Sequence, residues 1–228
     1  MDVSRVEGLS DGVFALALTL LIVSVEVPNR FEDLMGAIRM LPAFAACFAI
    51  LMWFWGCHYV FFRRYGLQDT VTITLNSVLL FVVLFYVFPL KYLMGLFLNQ
   101  AVMGGAGSPV SLGQLRLLFV LYGAGFVAIA GVYAWMHAHA LRLAGALQLE
   151  PHERLLTRGS IVRMAALMGI GTASIAIALL APGMWVTAAG FLYCLVGVSE
   201  GLLAWRYAEG AKRLQKATPP AQVGPAAS

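Results

Sequence analysis

The chain has 228 residues, 61% of them hydrophobic and only 11% charged, with a net charge of +4 and a mean hydropathy of +0.84. A water-soluble domain carries about 25% charged residues, so this composition excludes an ordinary soluble enzyme and reads as a polytopic membrane protein. The basic residues are spread along the chain, which excludes a concentrated nucleic-acid footprint.

Six membrane spans are expected, each near the roughly 20 residues that a bilayer requires. The first covers Asp11 to Val27 and is closed by Pro28-Asn29-Arg30. It starts without a loop from a charged, glycine-bearing cluster, Arg5-Val6-Glu7-Gly8-Leu9-Ser10-Asp11-Gly12. The basic n-region of a cleavable signal is missing, so this span is expected to stay in the mature protein. Charges at the edge of the hydrocarbon are costly and need protein partners. On a helix, Leu16, Thr19, Val23 and Glu26 fall in one stripe, with Leu20 and Val27 at its edge. The order bulky apolar, hydroxyl, bulky apolar, carboxylate suits the wall of a cation path with hydrophobic constrictions. It equally suits a lipid-facing or bundle-facing helix whose Thr19 bonds to its own backbone.

Glu32 and Asp33 mark an external turn, and span two covers Met40 to Phe62, stopped by Arg63-Arg64. Near its inner end, Trp55 and His58 are neighbours on one helix face, at the depth of Arg5 and Asp11. These four residues could meet as a polar plug around the first helix, or form an aromatic interface belt beside a histidine bonded to a carbonyl. Span three covers Val71 to Leu98, with the intramembrane amide of Asn76 expected to bond across helices and Pro89 expected to bend the helix. Lys91 is expected to snorkel outward.

A Gly-rich loop at 103–109 precedes span four, Leu112 to Met136, whose helix could continue to Leu147. A basic connection leads to span five, Ile161 to Leu180, and Pro182-Gly183 separates it from span six, Met184 to Trp205. Residues 1–210 are read as one transmembrane domain and 211–228 as a disordered cytoplasmic tail. Gly197-x-x-x-Gly201 has helix-contact spacing, although glycine is common in membrane helices regardless.

With both termini cytoplasmic, eleven of the fifteen basic residues lie inside and only Arg30, Arg39, Lys91 and Arg116 do not. This asymmetry supports an even span number. The cysteines, Cys47, Cys57 and Cys194, sit in apolar runs without metal spacing. His137 and His139 stand about 200° apart on a helix and cannot chelate one ion together. Glu200 is expected to pair with Arg206 or another basic residue. The chain contains no Thr-Val-Gly-Tyr-Gly filter, P-loop, arginine-rich voltage sensor or HExxH motif.

Arg5-x-x-x-Leu9-Ser10-Asp11 resembles the signature Arg-x-x-x-Phe-Ser-Asp of bacterial relatives of the endosomal and lysosomal potassium channel, transmembrane protein 175. Trp55-x-x-His58, Asn76 and Phe88-Pro89 continue the likeness through the first three spans, and Leu9 departs from the usual phenylalanine. The resemblance implies an all-α fold of six transmembrane helices per subunit and a homotetramer with its first helices lining a central pore. It implies a potassium-preferring channel, not an enzyme, in the bacterial inner membrane. Leu16 would form the constriction, Thr19 a pore-lining hydroxyl and Val23 a further apolar layer. Arg5 and Asp11 would bond to Trp55 and His58, with Ser10 in the same cluster. The expected partners are lipid, monovalent cations and further copies of the chain, with no cofactor beyond permeant potassium. The alternative is a proton-coupled secondary transporter using Asp11, His58 and Asn76 as a relay.

Overall fold

Apolar runs of this length favour helices, because a helix satisfies its backbone groups within one segment and needs no water to do so. The computed structural model describes residues 3–23, 30–102 and 110–217. Its regular elements, among the described residues, are all helical. They are α1 (Val3–Val23), α2 (Phe31–Arg39), α3 (Leu41–Tyr65), α4 (Thr70–Val102), α5 (Leu112–Arg142), α6 (Pro151–Leu180), a 3-10 turn (Gly183–Thr187), α7 (Ala188–Phe191) and α8 (Cys194–Ala217).

Short polar and glycine signals set the boundaries. Gly66 ends α3 in the left-handed region, at φ 56°, where the absence of a Cβ removes the steric cost. Its N–H donates to the Phe62 carbonyl at 2.9 Å. Asp69 caps α4, accepting from the Val71 and Thr72 N–H groups at 3.2 and 3.4 Å. Ser111 and Gln114 form a reciprocal capping box at the start of α5. The backbone of α4 continues through Pro89 as one helix.

Among the described residues, five segments are long and apolar enough to cross a membrane: Leu41–Tyr65, Thr70–Phe97, Leu112–Arg142, Pro151–Leu180 and Trp185–Gln215. The expected first span, Asp11 to Val27, runs beyond the described part of α1. Four details differ from the sequence reading. The expected external turn around Glu32 and Asp33 is the helix α2. Helix α5 stops at Arg142 instead of continuing to Leu147, and a turn with Gln148 at φ 50° buries Leu149 beneath the connection. The sixth expected span is broken near its start, where the 3-10 turn, α7 and α8 follow one another. Helix α8 continues to Ala217, past the expected start of the tail; residues 218–228 lie outside the described ones.

Helix α1 packs on α3 and α4, α4 on α5, and α5 along α6, which in turn carries α8. Lipid tails are as apolar as leucine, so close packing rather than water exclusion holds such helices together. The α5–α6 contact shows this directly. A Cβ on Gly123 would stand 2.6 Å from Ile175 Cγ1, and one on Gly171 would stand 2.6 Å from Val127 Cγ2. The same placement at Gly197 and Gly201 meets nothing within 4 Å, so their spacing makes no contact inside the protomer.

Candidate functional site: the two faces of helix α1

One face of α1 is buried and the other open. Val6, Ser10, Phe14, Ala17 and Leu21 point into the protomer and are all nearly inaccessible. Leu9, Gly12, Leu16, Thr19 and Ile22 recur at three- and four-residue intervals on the opposite side and are exposed. Leu16 keeps 51% of its surface uncovered, and Leu20 is half-buried at the border. The Thr19 hydroxyl donates to the Leu16 carbonyl at 2.7 Å. The side chain of Val23 and the whole of Glu26 lie outside the described residues.

The buried face is held by a directional chain of hydrogen bonds. Ser10 Oγ donates to the Val6 carbonyl at 2.8 Å. Its proton is therefore engaged, and it accepts from Asn76 Nδ2 at 3.0 Å. That fixes which way the Asn76 amide points, leaving Oδ1 as an acceptor 2.8 Å from His58 Nε2. An amide oxygen only accepts, so His58 must carry its proton on Nε2. All three side chains are buried, and Phe14 and Phe62 enclose the imidazole at centroid distances of 5.7 and 4.6 Å. The chain of donors ends on a backbone carbonyl and leaves out Asp11. This arrangement clamps α1 to α3 and α4.

Asp11 belongs to a separate, more exposed contact. Its Oδ1 accepts from Trp55 Nε1 at 2.7 Å. The Trp55 ring stacks on Tyr59 at 5.6 Å, and the Arg63 guanidinium lies 5.6 Å over the Tyr59 ring and donates to its hydroxyl. Positions 55, 59 and 63 share one face of α3 because they are four residues apart. The structure thus places the expected cluster in two parts: Ser10, Asn76 and His58 inside, Asp11 and Trp55 at the rim. Arg5 is exposed and has no hydrogen-bond or ion-pair partner among the described residues.

Farther along α1, Lys91 Nζ donates to the Leu21 carbonyl at 3.0 Å. That carbonyl lies near the end of the described part of α1. The sequence signal was a lone lysine inside an apolar run, but nothing in it named the acceptor. Pro89 sits two residues before Lys91 in α4, and Cys47 Sγ makes a long contact of 3.9 Å to the Leu90 carbonyl between them.

Other polar groups that stand out in the sequence lie away from α1. His137 bonds to the Tyr133 carbonyl at 2.8 Å and His139 to Asp69 Oδ2 at 2.8 Å, in separate places. Glu200 pairs with Arg163 of α6 rather than with Arg206. Among the described residues no group of three potential metal ligands occurs.

Comparison with known proteins supplies the family. The family model of the endosomal/lysosomal potassium channel TMEM175 matches residues 5–86, the segment containing the clamp. A protein of Marivirga tractuosa named as a potassium channel is 41% identical over 204 residues, 84% of this chain and 82% of that one. A potassium channel of Chamaesiphon minutus is 28% identical over 162 residues, 67% of this chain and 73% of its own. Among solved structures, a variant of the potassium channel MtTMEM175 in complex with a nanobody–MBP fusion superposes with a TM-score of 0.77 at 35% identity, covering 94% of each chain. A lysosomal potassium-selective channel TMEM175 homolog from Chamaesiphon minutus shares the fold, with a TM-score of 0.56 at 23% identity over 92% of this chain and 97% of that one. The chain belongs to the TMEM175 potassium channel family.

Proposed function

We propose that this family member is a homotetrameric, potassium-preferring cation channel of the bacterial inner membrane, with six spans per subunit, α1 in the first, and both termini cytoplasmic. The observation that supports this reading is the divided surface of α1. One side is locked to α3 and α4 by Ser10, Asn76 and His58, and the other is a continuous exposed stripe through Leu16 and Thr19. Four such stripes facing one axis would form a pore wall without any further rearrangement of the protomer.

In this pore Leu16 is the constriction. A ring of leucine side chains offers no oxygen to a hydrated ion, so current requires the ring to wet or widen. Thr19 lies one turn beyond. Its proton is engaged by the Leu16 carbonyl, which leaves its lone pairs as acceptors toward a passing cation. Few oxygens replace the hydration shell, so selectivity is modest. Val23 as a second apolar layer and Glu26 as an outer-mouth carboxylate stay in the proposal on sequence grounds alone.

The test is flux from proteoliposomes holding potassium, sodium or a large organic cation. Potassium flux above sodium flux, exclusion of the large cation, and several-fold faster leak in Leu16→Ala are expected. Leak equal to wild type in a folded Leu16→Ala protein removes the constriction from Leu16. Slow flux that saturates with potassium concentration replaces the channel with a carrier.

A further inference from the structure

Helix α2 has no buried residue. Its nine residues are nevertheless sharply divided. At 100° per residue, Phe31, Leu34, Met35 and Ile38 fall within an arc of about 100°, while Glu32, Gly36, Arg39 and Asp33 occupy the other side. Among the described residues most of the apolar face is uncovered: Phe31 is 73% exposed, Leu34 41% and Ile38 50%, with Met35 half-buried. Asp33 accepts the Arg30 N–H at 3.2 Å, which anchors the first turn and fixes which side faces which way.

The place of α2 in the chain names what covers that face. Met40 alone separates it from α3: the Met40 N–H donates to the Ala37 carbonyl at 3.1 Å, and its carbonyl accepts from the Phe44 N–H at 3.1 Å. Arg63 and Arg64 lie in the last turn of α3, and basic residues at a span's end favour the headgroup layer. Counting back the roughly 20 residues of a hydrocarbon core from Phe62 reaches Ala43. Arg39 lies about four residues, or roughly 6 Å, beyond that boundary. The α2–α3 junction therefore falls at the headgroup layer, and α2 carries an arginine at each end with a largely exposed apolar face between them.

We infer that α2 is a lipid-docking element, its Phe31-Leu34-Met35-Ile38 face seated in the interfacial layer on the membrane side opposite Arg63 and Arg64. A short amphipathic helix binds this layer by burying apolar area at the headgroup–acyl boundary while its charged side stays hydrated. The occupant is the bilayer surface, and the helix ties the segment between α1 and α3 to it. This goes beyond ion conduction and holds whether or not α1 lines a pore.

The experiment places an environment-sensitive fluorescent amino acid at Leu34, Ile38 or Asp33, one position at a time, in the full chain. The protein is reconstituted into phosphatidylcholine–phosphatidylglycerol vesicles. Quenching is measured with a nitroxide-labelled lipid and with aqueous iodide. All three positions lie on a helix without buried residues, and size-exclusion elution identifies any misfolded sample. Blue-shifted emission at Leu34 and Ile38, with lipid quenching several-fold above iodide quenching and the reverse at Asp33, is the expected result. Iodide quenching at Leu34 and Ile38 equal to that at Asp33 overturns the inference, because the face is then in water. Shielding of Leu34 and Ile38 from both quenchers also overturns it, because a second copy of the chain then covers the face. Ion flux from the same vesicles is a separate reading, so failure of the channel proposal leaves the quenching result standing.

Discussion

The two halves of this bundle are held together by different means. Between α1, α3 and α4 the specific contacts are side-chain hydrogen bonds: Ser10 to Asn76, Asn76 to His58, Asp11 to Trp55. Between α5 and α6 they are close fits at Gly123 and Gly171, with Ile175 and Val127 filling the space a Cβ would need. Where the halves meet, both means appear. Tyr133 of α5 donates to the Phe54 carbonyl of α3 at 2.6 Å, and a Cβ on Gly125 of α5 would stand 2.5 Å from Tyr86 Cδ2 of α4. A hydrogen-bond chain specifies rotation, because a donor turned away from its acceptor leaves a buried polar group unpaired. A glycine contact specifies approach and tolerates small rotations. The half that presents a uniquely oriented stripe is the one locked against rotation.

Replacing Asn76 tests that difference most severely. Asn76→Leu leaves His58 Nε2–H and Ser10 Oγ without their partner in a site where both are buried. Unsatisfied buried groups cost about 1–3 kcal/mol each. Interhelical hydrogen bonds in membranes average nearer about 0.6 kcal/mol, because the separated helices also find partners. A combined loss of about 2–4 kcal/mol is expected, read as a lowered thermal midpoint in detergent, together with altered flux from the folded fraction. Ser10→Ala removes one link only and should cost about 1 kcal/mol. Equal, small effects of the two substitutions would mean that the clamp does not orient α1.

The glycine half should respond in stability alone. Gly171→Leu puts a side chain where even its first carbon meets Val127 at 2.6 Å and Phe126 at 3.3 Å. Overpacking of this kind costs about 1–3 kcal/mol. The midpoint should fall, while potassium flux per folded protein stays within error of wild type. A Gly171→Leu protein with normal stability and changed flux would reverse the roles assigned to the two halves.

How far the sequence revealed each half follows from the same contrast. Charges and amides in apolar runs stand out because they need partners, so Asp11, His58 and Asn76 were visible as a group. Their pairing was not. Asn76 and Ser10 lie 66 positions apart and His58 and Asn76 lie 18 apart, and spacing on that scale specifies no geometry. The separation of Arg5 from the buried cluster was equally invisible. Glycines carry no such signal: a Cβ at Gly197 or Gly201, which have contact spacing, meets nothing within 4 Å, whereas Gly123 and Gly171 have unremarkable neighbours and make close approaches. Helix α2 was missed for another reason. Glu32 and Asp33 attract a turn reading, yet the Phe31, Leu34, Met35 and Ile38 periodicity was present in nine residues too few for a span.

The smallest effect is expected where the polar means reach the rim of the membrane. Asp69, in the connection between α3 and α4, accepts from the Thr72 hydroxyl at 2.6 Å and from the His139 ring at 2.8 Å, and so ties the start of α4 to the end of α5. Partial burial raises its pKa, but the bonds from Thr72 and His139 outweigh that and hold the carboxyl below the usual carboxylate value. A depressed carboxyl pKa adds stability at pH above the unfolded value of about 3.9, and loses it as pH falls through the folded value. Asp69→Asn keeps a residue that also caps helices well, so it isolates the charge from the cap. Because the side chain is 36% exposed, solvent screens the contact and the difference should stay below about 1 kcal/mol. Thermal midpoints of wild type and Asp69→Asn should differ near neutral pH and converge as pH falls through the lowered folded value. Curves that remain parallel through that value would assign Asp69 to the cap alone and leave α4 and α5 joined at this end by apolar packing.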